Sequence, residues 1–166
     1  MASKLLAVSD SGPIIHLSEI NAAKAFKIVK EVLVPEEVNN ETRNCNVPRK
    51  KIMQLDDKHK DIAKFLISNY GIDLGESEAI SLCMQEGIQT LFTDDLDART
   101  IAKHYNLEVH GTVGLLVKSF SNGIFTEREV ISKLELLRTK SSLFITKDLL
   151  DWSIKRIKEY SRKVKS

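Results

Sequence analysis

The sequence predicts an α/β fold on a mostly parallel sheet: a three-layer α/β/α arrangement with helices on both faces. Short apolar runs alternate with longer segments of 3.6-residue apolar period, the pattern of repeated βα units. The apolar runs are only a few residues long, too short for a membrane span. At 166 residues, 42% hydrophobic and 29% charged, the chain can bury one substantial core. A single domain is expected, with its core at about 4–120 and a helical C-terminal extension at about 124–166.

Each element has a local reason. Leu5–Ser9 is an uninterrupted apolar run that reads as a buried strand and ends at Asp10. Ile14–Ile20 and Ala22–Val29 form the first helical pair, and Val32–Val34 is the next strand. Pro35 suits the first turn of a helix through Arg43, because its missing N–H would be unpaired there anyway. The polar, Pro-containing stretch 44–54 reads as a linker. Ile62, Ala63, Phe65, Leu66 and Ile67 mark an amphipathic helix stopped by "NYG", followed by a helix at Gly75–Glu86. Strands at Thr90–Thr93 and Leu107–Val109 flank a helix at Ala98–Tyr105. Helices at Val113–Phe120, Glu127–Arg138 and Lys147–Lys163 complete the chain.

The net charge of +2 is unremarkable, but "IKRIKEYSRKVKS" carries six basic residues against Glu159 alone. That end, with "RKK" at 49–51, is either a solvated face or a source of non-specific phosphate attraction. The start "MASKLLAVSD" lacks the apolar length and cleavage pattern of a secretion signal, so a cytoplasmic location is expected. Cys45 and Cys83 cannot frame a metal site by themselves and are expected to stay unpaired. Trp152 and Tyr160 are expected to pack against neighbouring helices, and His16 to be packed or surface-lying.

The carboxylates carry the chemistry. In open α/β sheets ligands bind outside the carboxyl ends of the strands, at the topological switch point. Asp10 ends the first strand, and Thr93, Asp94 and Asp95 end "TLFT", so the two can converge. In "GESEAISLCMQEG" Glu76 precedes Ile80 by four residues and lies on the apolar stripe, while Glu78 is turned about 200° away. In "VPEEVNNET" Glu41 follows the core-facing Val38 by three residues and can point inward, with Glu37 as competitor. Each carboxylate pair at ~4 Å repels by roughly 4 kcal/mol at an effective dielectric of about 20. A hard divalent cation reverses that sign, and Mg²⁺ and Mn²⁺ prefer oxygen ligands. An all-carboxylate site of this kind suits phosphodiester hydrolysis.

"AVSDSGPII", "VPEEVNNE", "GESEAISL" and "LFTDDLDART", in this order and spacing, resemble the PIN-domain nucleases, nearest to the small prokaryotic VapC-type toxin ribonucleases. The resemblance implies metal-dependent cleavage of single-stranded RNA, with Mg²⁺ or Mn²⁺ in an acidic pocket. It matches Asp10, Glu41, Glu76 and Asp95 to the four acids of the family. Asp10, Glu76, Asp94 and Asp95 are then the candidate metal ligands, the fourth lying between Asp94 and Asp95, with Asp97 as an outside candidate. Ser11, Thr93 and Arg99 are candidate substrate contacts, Arg99 also being an i,i+4 partner for Asp95. Gly12 departs from the family pattern, which has a hydroxyl or amide there. The resemblance further implies a homodimer and a small antitoxin partner. The alternative is a PIN-like module that binds RNA or protein without cutting.

Overall fold

The computed structural model describes residues 6–165, so Leu5, expected to open the first strand, and Ser166 lie outside the described residues. Among the described residues five strands form one parallel sheet: β1 (Leu6–Ser9), β2 (Glu31–Pro35), β3 (Lys50–Met53), β4 (Thr90–Phe92) and β5 (Glu108–His110). Their spatial order is β3-β2-β1-β4-β5. The chain therefore leaves β1 in one direction through β2 and β3 and returns on its other side through β4 and β5. The switch point lies between β1 and β4, where Val8 pairs with Leu91 and Ser9 with Phe92.

Among the described residues eight α-helices connect and cover the strands: α1 (Ser11–Glu19), α2 (Glu36–Glu41), α3 (Asp57–Tyr70), α4 (Leu74–Glu86), α5 (Leu96–His104), α6 (Thr112–Ser121), α7 (Glu127–Lys140) and α8 (Lys147–Lys165). Successive strand residues feed opposite faces, as the two-residue pleat requires. Ala7, Val32, Val34 and Phe92 join a cluster with α1, α6, α7 and α8. Val8, Leu33 and Leu91 join the other, with α3, α4 and α5. Burial on both faces is why these strands read as continuous apolar runs. Val130, Leu134, Leu137 and Ile157 of α7 and α8 are buried in the same cluster as Ile14 and Leu116, so the expected extension is packed into the first layer.

Three expectations are corrected. The segment read as a linker contains β3, whose residues Lys50–Met53 pair in register with Val32–Pro35. It is an edge strand with Ile52 half exposed and two lysines, which guard a sheet edge against further pairing. Pro35, expected in the first turn of a helix, instead closes β2 and caps α2, while the helix read at Ala22–Val29 is a 3₁₀ helix over Ala23–Ile28. Among the described residues no helix is long and apolar enough to cross a membrane. Cys45 and Cys83 are both free thiols.

Candidate active site

Three helix N-termini point at the switch point, and each is capped by an acid. Asp10 caps α1, accepting the Ser11 N–H at 2.8 Å through Oδ1. Asp73 caps α4, accepting the Glu76 N–H at 2.8 Å, and Glu76 reciprocates by accepting the Asp73 N–H at 3.2 Å. Asp95 caps α5 through the Ala98 N–H at 2.8 Å. The capping bonds fix each carboxylate, and the positive helix ends partly offset the negative charge gathered there.

Thr93 ties two of these acids together. Its buried hydroxyl donates to Asp10 Oδ2 at 2.9 Å and accepts the Asp95 N–H at 3.3 Å. With no exposed surface, Thr93 orders carboxylates instead of meeting a substrate. Glu41 stands at the exposed rim, where its Oε2 accepts the Ser11 hydroxyl at 3.3 Å. Gly75 makes that position open: a Cβ there would lie 2.5 Å from Glu41 Oε1. The backbone N–H of Glu37 donates to Glu78 Oε1 at 3.1 Å, so Glu78 faces α2 and not open solvent.

The electrostatics follow from burial without counter-charge. Desolvation pushes Asp10, only 5% exposed, up to about 6; its bonds from Ser11 and Thr93 resist the rise, and Asp73 and Glu41 add to it. Burial pushes Glu76 up to about 7, with Asp73, Asp95 and Asp10 repelling its ionised form. Glu41 is raised in the same way, first by desolvation and then by Asp73. Among the described residues no Lys, Arg or His forms an ion pair with Asp10, Glu41, Asp73, Glu76 or Asp95.

Asp94 belongs to a different environment. Its Oδ2 lies 2.7 Å from His16 Nδ1 and 2.5 Å from the Thr112 hydroxyl, and its Oδ1 accepts the Thr112 N–H at 2.7 Å. Burial raises its pKa, but these bonds outweigh it and hold the carboxyl below its ordinary range. Both oxygens are thus engaged in joining β4 to α1 and α6, while Asp95 faces the acid cluster. Arg99 forms no ion pair with Asp95 among the described residues and lies near Gly111, away from that cluster. Asp97 is exposed on α5. Asp73 and Thr112 escaped the sequence reading. Asp73 had a signal, an Asp three residues before Glu76 in the spacing of a capping box. The Thr112 contact spans 18 residues and had none.

The donor set is all oxygen and its charge is unmet, which fits a hard divalent cation. Among the described residues no three acidic, His or Cys side chains converge on one point. Magnesium-type ions are commonly held by one or two carboxylates and retained waters, so the pocket's acids suffice in number.

Neither the curated proteins nor the solved structures gave a match to this chain. A family model, DUF3368, described as a PIN domain, matches residues 6–159 and so includes α7 and most of α8. PIN domains are in general nucleases and typically use divalent metals. Parallel sheet, acidic switch point and matched span lead to one assignment: the chain belongs to the PIN-domain family.

Proposed function

We propose that the protein is an endoribonuclease that hydrolyses phosphodiester bonds of single-stranded RNA with Mg²⁺ or Mn²⁺. The observation that carries this reading is the pair Asp10 and Glu76, both raised by burial and by neighbouring acids, with no basic partner at the sheet's switch point. Asp10, Glu76 and Asp95 are the ligand candidates, and Glu41 reaches the pocket from its rim; Asp94 is assigned to the scaffold instead. A bound cation would supply an activated water and stabilise charge on the phosphoryl oxygens. The chain's own residues do the positioning. Ser11 and Thr93 fix the two oxygens of Asp10, and Asp73 fixes Glu76. Without a cation, the raised Glu76 carboxyl takes up a proton as pH falls through about 7.

Likeness to toxin ribonucleases extends the proposal to a homodimer held in check by a small antitoxin covering the acid pocket. The test is cleavage of an unpaired RNA oligonucleotide. The proposal expects cutting with Mn²⁺, none in chelator, and loss in Asp10→Asn. Equal cutting by Asp10→Asn, or cutting that survives chelation, overturns it.

A further inference from the structure

A groove of about 580 Å³ runs between α5, β5, α6 and α8, and Asp94 forms part of its wall. The adjacent residue, Asp95, is not in that wall; it caps α5 and repels Glu76 in the acid cluster. Its lining combines bare apolar surface with cations. Phe144 is 86% exposed, Leu96 76% and Trp152 55%, an unusual display for side chains of this size. Arg99, Lys118 and Arg156 line the same groove, Lys118 Nζ lying 4.0 Å from Glu108 Oε1. Arg99 and Arg156 enter no ion pair among the described residues, and the Arg156 guanidinium sits 5.3 Å from the centre of the Trp152 ring. The wall's one carboxylate, Asp94, is already engaged by His16 and Thr112.

Trp152 was expected to pack, and the contrast with Tyr160 is informative. Tyr160 meets Phe120 edge-on at 5.5 Å and donates its hydroxyl to the Ser121 carbonyl at 3.3 Å. Trp152 is left open beside a cation. Flat π surface alternating with unpaired guanidinium groups suits a strand with exposed bases and a phosphate at every step. A purely apolar partner would leave the two guanidinium groups desolvated and without a counter-charge, at a cost.

We infer that this groove is a track for an unpaired polynucleotide strand, with Trp152 and Phe144 stacking bases and Arg99, Lys118 and Arg156 meeting phosphates. The inference deepens the proposed function and rests on it for the strand's direction, towards Asp95. Binding and cutting can nevertheless fail separately.

Trp152 is the only tryptophan, so its fluorescence reports the groove directly. The full chain is titrated in chelator with oligouridylate and oligoadenylate. Quenching at saturation is expected in the unmutated chain; read by anisotropy of a labelled oligonucleotide, because the two variants carry no tryptophan, binding should weaken about tenfold or more in Trp152→Ala and be largely kept in Trp152→Phe. Arg99→Ala and Arg156→Ala should each flatten the slope of log affinity against log salt by about 0.7. Unchanged fluorescence at saturation, or equal binding by Trp152→Ala, overturns the track. So does a fluorescence change that follows protein concentration alone with a doubling of mass, which would mean that a second copy covers this face. Binding at the groove without any cutting would overturn the proposed ribonuclease and leave the track standing.

Discussion

Asp10 and Asp94 follow neighbouring strands of one sheet, both largely buried, and the fold treats their charges in opposite ways. Asp94 receives three hydrogen bonds from His16 and Thr112 and is held below its ordinary pKa. Asp10 receives two, from Ser11 and Thr93, while Asp73 and Glu41 repel it, and it is pushed up to about 6. One carboxylate closes a joint between β4, α1 and α6. The other is kept uncompensated at the mouth of the switch point. Buried charge that is met holds a structure together; buried charge that is left unmet is available to a ligand.

The comparison breaks most visibly in the two removals. Asp10→Asn should lower RNA cleavage on the order of a thousandfold, the loss expected when several kcal/mol of charge stabilisation goes. Its unfolding free energy at pH 8 should nonetheless rise by about 1–2 kcal/mol, because a repelled charge is gone. Asp94→Ala should do the reverse, costing about 3 kcal/mol in denaturant unfolding by stranding His16 and the Thr112 donors. Equal stability changes in the two variants would erase the distinction.

A smaller effect is set by pH. Folded Asp10 binds its proton more tightly than an unfolded aspartate, whose ordinary value is 3.8. Stability contributed by this group is therefore complete below pH 4 and is lost as pH rises through about 6. Glu76 acts with the same sign between 4.5 and about 7. Asp94 acts with the opposite sign, below 3.8. In chelator the melting temperature should thus climb by roughly 5 °C from pH 8 to pH 5, given about 2–4 °C per kcal/mol for a chain of this size. Saturating Mn²⁺ should raise it most at pH 8 and remove most of that slope.

The smallest expected effect concerns the rim. In Gly75→Ala the new methyl group meets the flexible end of Glu41, so folding stability should change by less than about 1 kcal/mol. Cleavage should fall roughly tenfold as Glu41 is displaced. A large stability loss with cleavage intact would separate Glu41 from the pocket.

Much of this was legible in the sequence for local reasons. Leu6–Ser9 and Glu31–Pro35 read as strands because both of their faces are buried, and α4 was visible because Ile80 and Cys83 repeat at helical spacing. β3 was not, because Lys50–Met53 has neither alternation nor continuous apolarity and exists through its pairing with β2. The same limit separates the acids. Asp10 and Glu76 announce themselves as charges on apolar elements. Choosing between Asp94 and Asp95 depends on Thr112 and His16, partners brought together only by tertiary folding. The groove beside Trp152 lay beyond reach for the same reason, since α5, α6 and α8 meet across about fifty residues of chain.

The most direct test of the central claim is a carboxyl NMR titration of Asp10 and Glu76, assigned through Asp10→Asn and Glu76→Gln, with and without Mg²⁺. The account predicts midpoints of about 6 and about 7 without the ion, both falling below about 4.5 when it is added. Midpoints that already lie in the ordinary carboxylate range, or that do not move at saturating Mg²⁺, would contradict it.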